Sequence, residues 1–445
     1  MLLPALIALA CQQEPLAPVL AQVTVLEPPC VSTTGTFGAS VSMLDFDGDR
    51  IQDVAVGAPG DGLVYVYFGT GVGGKRPFRE PRIFGPAGPM QCPGTATTGQ
   101  FGSDVWGAEL DDDPALELIV GAPAEEVDGV PFVGAAYLIG YGKNPTQPLR
   151  LAAPSAEAGQ FGSAVAAGDF NADGLVDVAV SARRTSVAGV TAGRVYVWFG
   201  PIDPLATPLV LDNPHPVPNG NLGQHMAVGD SNGDGFDDLV VNAIGNDSAG
   251  VTFGGQVFVF EAPIGAQPNR TINDPAPSAL DLPGPRYGMH IDARGPWVAV
   301  GANRKDHSGI HDPGRGFTQS GPDFQDVVLH DHLTPKESDY FAFRCAIADV
   351  VGDGALDFTF IVMPLGNIPD HNVPELYTWD GNQRSGAPAM VRRVLAGSGD
   401  HYGNGLDRGQ LFVGGKEELI LGDPTYDRPG FGVHDNVGRV VIYSY

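Results

Sequence analysis

Asp169, Asn171, Asp173 and Asp177 alternate through DFNADGLVD, and Asp230, Asn232, Asp234 and Asp238 repeat the spacing in DSNGDGFDD. Side-chain oxygens at positions 1, 3, 5 and 9 of a tight loop, joined by the backbone carbonyl of position 7, form the kind of donor set that Ca²⁺ takes in its flexible six- to eight-oxygen shell. Leu175 and Phe236 supply those carbonyls, and Gly174 and Gly235 stand at the sharp turn. A third stretch, DFDGDRIQD, offers Asp45, Asp47, Asp49, the carbonyl of Ile51 and Asp53, and departs only in carrying Arg50 where the turn glycine stands. Calcium is expected there too, over a backbone strained or reshaped at Arg50. Asp, Asn and Gly also favour plain hairpin turns. Such a turn needs only two of them, however, and carboxylates crowded into so short a loop repel one another unless a cation offsets them.

Two weaker versions follow. Glu109, Asp111, Asp113 and Glu117 keep the oxygens but place Pro114 at the turn, and Asp349, Asp353 and Asp357 have Val351 at position 3. All-oxygen sets suit Ca²⁺ over Zn²⁺ or Cu²⁺. The expectation is three calcium sites, rising to five if these two are filled, with dissociation constants of about 10⁻⁴ to 10⁻³ M.

The elements that must hold these loops repeat as well. TGTFGASVSMLDFDGDRIQDVAVGAP, TGQFGSDVWGAELDDDPALELIVGAP, AGQFGSAVAAGDFNADGLVDVAVSAR and GNLGQHMAVGDSNGDGFDDLVVNAI are copies of one unit, and weaker copies begin near residues 287, 341 and 402. The period is about sixty residues, which is the spacing of a repeat architecture. In each copy an alternating strand A precedes the acidic loop and a strand B runs from it into GAP or its equivalent. A strand C (LVYVYFG, GAAYLIG, GRVYVWFG, GQVFVF, ELYTW, GRVVIYSY) and a strand D (PRIFG, PLRLAAP, PLVLDNP, RTINDP, DVVLH, VRRVLAG) complete it. The fifth copy has deleted the acidic loop and the seventh has Gln410 and Phe412 where carboxylates belong, so neither is expected to hold metal. Short antiparallel strands in fours, repeated in this way, predict an all-β fold, a seven-bladed β-propeller of four-stranded antiparallel blades. The last copy lacks a strand D, whereas AQVTVLEP, residues 21–28, reads as one ahead of the first copy. That N-terminal strand is expected to close the ring by pairing onto the last blade.

These units resemble FG-GAP repeats, and over residues 21–445 the chain resembles the seven-bladed propeller head of integrin α subunits. Alternating strand directions put the acidic A–B loops on one face and the variable B–C loops on the other. In integrins, the resemblance implies, that second face binds ligand. Here it gathers Arg183, Arg184, Arg304, Lys305, His307, His311, Arg315 and Arg428. The expected function is a calcium-stabilised binding or adhesion module for a protein or glycan at a cell surface or matrix, with a scaffold in a surface assembly as the alternative reading and a propeller hydrolase as the third.

Composition narrows the partners. With 25 basic against 52 acidic residues the net charge is -27, which repels nucleic acid and anionic lipid headgroups, although the charge also serves solubility. No HExxH, GxSxG or Gly-rich phosphate loop occurs, so the chain is not expected to be an enzyme. Residues 1–20 begin MLLPALIALACQQEP, an apolar export signal. It resembles a bacterial lipoprotein signal in which Cys11 would be acylated, although it lacks a basic n-region and has Ala8 where Leu is usual. The implied location is outside the cytoplasm, secreted or held to a membrane only through that lipid. Of the remaining cysteines, Cys345 sits in an apolar strand, whereas Cys30 and Cys92 lie in loops before equivalent strands, where an oxidising compartment would let them pair.

Overall fold

Strand B of each repeat is a largely apolar run buried on both faces, opened in six of the seven by a carboxylate: Asp53–Ala58, Glu117–Ala122, Asp177–Ala182, Asp238–Ala243, Trp297–Ala302, Asp357–Val362 and Glu418–Asp423. A strand covered on both faces needs layers above and below it, and neighbouring repeats supply them. The computed structural model describes residues 22–444 apart from 31, 33, 72–77, 91–98, 143–146, 249, 278–283, 285, 307–308, 334, 336–338, 363–374, 394–404, 410–416, 425 and 427–436. Within these bounds the chain folds as expected into seven antiparallel blades, each in strand order A-B-C-D.

Strands A are Ser40–Leu44, Val105–Ala108, Phe161–Gly168, Leu222–Gly229, Ile291–Arg294, Arg344–Ala348 and Leu406–Gly409, in blade order. Blade one gains a fifth strand, Gly88–Met90, and blade three a small hairpin of Ser186–Val187 with Val190–Thr191. The seventh blade is completed by Gln22–Leu26, which pairs with Arg439–Ser444 from Gln22 opposite Ser444 to Leu26 opposite Val440. The ring is therefore closed by the N-terminal strand, as the missing last strand D predicted.

The core is divided among the seven joints between blades. Val54, Val56 and Tyr65 of blade one pack with Leu26, Ile420 and Ile442 of blade seven, and similar clusters fill every other joint. The Phe of each FG pair is the plug: Phe37, Phe101 and Phe161 are 1% exposed and meet Tyr65, Tyr137 and Tyr196 edge to face. Burying one such ring contributes about 1.5–3 kcal/mol. The two glycines of the motif explain each other. A Cβ on Gly57 of GAP would lie 2.1 Å from the carbonyl of Gly102 in the next FG, and one on Gly422 would lie 1.8 Å from the carbonyl of Gly38, so adjacent blades touch backbone to backbone, including across the closure.

Strands A line the central bore. Polar side chains lace them together: Asp407 Oδ2 accepts from Met43 N at 2.7 Å, Ser42 Oγ from Gly107 N at 3.1 Å, Asp104 Oδ2 from Val165 N at 2.9 Å, and Asp292 Oδ2 from Ile347 N at 2.7 Å. Each bond reaches from one blade to the next. Further out, Lys305 and Asp274 form a buried ion pair at 2.7 Å across the joint of blades four and five.

Candidate metal centres and the opposite loop face

Each acidic loop joins strand A to strand B, so its shape is dictated by a chain that must reverse direction in a few residues. Position 4 takes a left-handed backbone in all five acidic loops: Gly48 (φ 73°), Asp112 (66°), Ala172 (62°), Gly233 (78°) and Gly352 (80°). Position 6 does so in four, through Arg50 (69°), Gly174 (87°), Gly235 (92°) and Gly354 (85°). Arg50 thus adopts the glycine conformation, at a cost of about 1–2 kcal/mol for a residue with a Cβ. Pro114 cannot adopt it, since its ring fixes φ near −65°, and blade two turns by another path.

Position 9 opens strand B and is fully buried: Asp53, Asp177, Asp238 and Asp357 are 0% exposed and Glu117 1%. Asp177 shows why. Its Oδ2 accepts from Phe170 N at 2.9 Å and its Oδ1 from Gly200 N at 2.8 Å, tying the A–B loop to the start of the C–D loop. Asp53 does the same with Phe46 N and Gly69 N at 2.9 and 2.8 Å, Asp238 with Ser231 N and Ala262 N at 2.9 and 3.1 Å, and Asp357 with Val351 N and Gly381 N at 2.7 and 3.1 Å. Burial pushes Asp53 up to about 7, Glu117 to about 8, and Asp177 and Asp357 to about 6, and nearby loop carboxylates add to the rise in each. A cation would reverse that repulsion.

The remaining oxygens divide the loops into two kinds. Oxygens of Asp45, Asp47 and Asp53, and of Glu109, Asp111 and Glu117, converge within 4.8 Å of one another. Asp45 Oδ1, Glu109 Oε1 and Asp111 Oδ1 are buried with no hydrogen-bond partner, an arrangement that fits a bound cation. In blade one Arg79 already bridges Asp47 and Asp49, both at 3.3 Å. In blades three and four the oxygens turn onto the loop's own backbone: Asp169 accepts from Asp173 N and Gly174 N, and Asp230 from Asp234 N and Gly235 N, at 2.9–3.0 Å. Asn171 and Asn232 donate to Asp173 and Asp234 at 2.9 Å. The Leu175 and Phe236 side chains are exposed, leaving only their carbonyls to serve a metal. Blade six repeats the Asp349 and Asp353 turns, with Asn382 on Asp353 at 2.8 Å in the absence of an Asn at position 3. Blade five makes a direct hairpin through Gly295 and Pro296, and Gln410 and Phe412 lie outside the described residues.

On the opposite face the basic residues separate into two groups. Lys305 is 1% exposed and held by Asp274. Arg315 opens strand C of blade five and binds Asp331 through Nε and NH2 at 2.6 and 2.9 Å. Both are committed to the fold, which corrects their assignment to a ligand surface: the FTQS run that follows Arg315 is too polar to announce a strand. His311 pairs with Asp306 at 3.0 Å, and His307 and Arg428 lie outside the described residues. The Arg183 and Arg184 side chains make no hydrogen bond or ion pair among the described residues, and Arg304 Nε is buried without a hydrogen-bond partner, its guanidinium over the Tyr340 ring. Arg286, which the sequence did not flag, joins them, and burial with the Arg304 charge nearby holds its pKa down. Cys30 is disulfide-bonded, whereas Cys11 and Cys92 lie outside the described residues.

An FG-GAP repeat model matches residues 37–69 and 161–198, the first and third blades. Integrin alpha-PS2 of Drosophila melanogaster is 30% identical over 256 residues, covering 53% of this chain and 16% of that protein. The chain is an integrin-like FG-GAP propeller. The propeller is also similar to phosphatidylinositol-glycan-specific phospholipase D: 36% identical over 156 residues in Bos taurus, with 31% of this chain and 18% of that protein covered. In Rattus norvegicus the match is 26% over 332 residues, 64% of this chain and 37% of that protein. These matches span between about a sixth and two fifths of the relatives' length. Among the described residues of the propeller, no helix is long and apolar enough to cross a membrane.

Proposed function

We propose that this FG-GAP propeller is an exported, calcium-stabilised binding module whose loop face, opposite the acidic loops, engages a protein or glycan at a cell surface or matrix. The observation that carries the reading is the segregation of charge. Buried carboxylate oxygens without hydrogen-bond partners (Asp45, Glu109, Asp111) lie on one face, and arginine side chains without an ion pair (Arg183, Arg184, Arg304) lie on the other. Calcium would be held by the side chains named for blades one, three and four, with blade two raised in rank by its orphaned oxygens and blade six still a candidate. Bound there, the ion offsets loop repulsion. Acylation at Cys11 and a Cys30–Cys92 bridge belong to the same proposal, since both suit an exported protein. A scaffold in a surface assembly would use the same face with slower exchange.

The similarity to a phospholipase D favours a second reading, in which the propeller serves a hydrolase. Turnover of phosphodiester or glycoside substrates by the purified chain would overturn the binding-only reading. The direct test is capture of envelope or matrix components by immobilised propeller in calcium. Changing Arg183, Arg184 and Arg304 together to Ala is expected to reduce capture at least about tenfold, as loss of charged contacts does at an interface. Capture that survives unchanged would place the binding surface elsewhere.

A further inference from the structure

The acidic loops of neighbouring blades are joined through position 8, the residue between the position 7 carbonyl and the position 9 carboxylate. Asp237 of blade four accepts from Asp169 N of blade three at 3.1 Å through its Oδ2. Glu417, which precedes strand B of blade seven, accepts in the same way from Asp349 N of blade six at 2.8 Å. Leu116 N of blade two donates to the Asp45 carbonyl of blade one at 2.8 Å, and Glu417 N to the Asp349 carbonyl at 3.0 Å. Each of these bonds falls on position 1 of the preceding loop.

The joint of blades three and four has the complete donor set on both sides, Asp169 to Asp177 and Asp230 to Asp238. Gly168 lets the two chains approach there, since a Cβ on it would lie 2.9 Å from the Cβ of Asp237. A second strap runs beside the first: Ile264 N donates to the Phe170 carbonyl at 2.9 Å, and two residues earlier Ala262 N donates to Asp238 Oδ1 at 3.1 Å. Asp237 is therefore flanked in sequence by two ligands of one loop, the Phe236 carbonyl and Asp238, while its side chain holds the backbone of the first ligand of the other.

We infer that Asp237 is a positioning residue that couples calcium binding in blades three and four, so that filling either loop raises the affinity of the other. The inference rests on calcium filling these loops. An ion held by Phe236 and Asp238 fixes the peptide of Asp237, and the Asp237 carboxylate then fixes the N–H from which the Asp169 turn begins. A loop already held in its binding shape has less ordering left to do when its own ion arrives, which is positive cooperativity. By linkage the effect is reciprocal. Charge alone has the opposite sign, because an ion in one loop makes its surroundings less attractive to a second. A gain in affinity is thus the signature of the link through Asp237.

Hydrogen exchange of the full chain across a calcium titration, read by mass spectrometry over residues 169–177 and 230–238, gives each loop its own midpoint. In the wild type each curve should be steeper than a one-site isotherm, a readout that needs no variant to fold. Silencing blade four with Asp234→Ala should raise the blade three midpoint at least about threefold, the scale of one hydrogen bond. Asp173→Ala should raise the blade four midpoint by the same factor. Both shifts should vanish in an Asp237→Ala background and persist with Asp237→Asn, which keeps an oxygen acceptor and loses the charge. A blade three midpoint that ignores Asp234→Ala, or falls as charge alone requires, would overturn the coupling and leave the calcium reading standing. Shifts that survive Asp237→Ala, or that Asp237→Asn also removes, would overturn the role of the Asp237 hydrogen bond. Calcium that protects neither loop of the wild type would overturn the calcium reading and the coupling together.

Discussion

A chain beginning at Pro28 is expected to lose cooperative folding at moderate temperature, and a synthetic peptide of residues 22–27 should restore it when added in trans. Gln22–Leu26 supplies the whole outer strand of blade seven through pairing along Arg439–Ser444. Leu26 is 7% exposed and packs with Val440 and Ile442 in the joint between the last and first blades, and Tyr67 of blade one donates to the Glu27 carbonyl at 2.8 Å. Each backbone hydrogen bond is worth about 0.5–1.5 kcal/mol net and a buried Leu about 1.5–3 kcal/mol. The sum is on the order of 5 kcal/mol, comparable with the 5–15 kcal/mol that typically separates a folded domain from its unfolded chain. Removal would also expose Val440–Tyr443 as an apolar edge, which invites association. Circular dichroism melting combined with light scattering reads both effects. An unchanged melting temperature would mean that the ring does not depend on this strand.

Asp177→Ala is expected to destabilise the protein by about 2–5 kcal/mol even in chelator, whereas Asp177→Asn should be far milder there. The carboxylate is wholly buried and accepts from Phe170 N and Gly200 N. Alanine leaves two buried N–H groups without acceptors, each costing about 1–3 kcal/mol. Asparagine keeps one acceptor and removes a charge that burial already disfavours, as the rise of this carboxyl to about 6 indicates. Urea unfolding of both variants in chelator gives the comparison. Equal losses for Ala and Asn would show that the hydrogen bonds from Phe170 and Gly200 contribute little.

The blades were legible because FG and GAP mark a joint that no other residues fit, Gly57 against Gly102 and Gly422 against Gly38. The closing strand was legible because strand D was missing from one end and present at the other. Strand C of blade five was not: its buried Thr318, Gln319 and Ser320 are satisfied by partners from outside strand C, including His330, Tyr287 and Asp326, which local pattern cannot reveal. The same blindness misplaced Arg315 and Lys305, whose partners Asp331 and Asp274 come from the edges of strands D in blades five and four. Position 9 reads in sequence as a ligand alone, yet its buried carboxylate also fixes two backbone segments, because burial depends on the whole blade. Asp104, His225, His290 and Asp407, which line the central cavity, are scattered over blades two, four, five and seven and meet only once the ring closes. Isolated charges at strand starts give no periodic signal.

Calcium is the centre of the proposed stabilisation, and the measurement that tests it is thermal unfolding in chelator and in excess calcium for the wild type and for Asp173→Ala with Asp234→Ala. Both side chains are exposed and bond only within their own loops, Asp173 to Leu175 N and Asn171 and Asp234 to Phe236 N and Asn232. In chelator the variant should therefore melt close to the wild type. In calcium at a hundredfold excess over the dissociation constant, the wild type should gain about 2.7 kcal/mol per filled site, and the variant should lack the share of blades three and four. A wild-type melting temperature that is the same in chelator and in calcium would contradict the account.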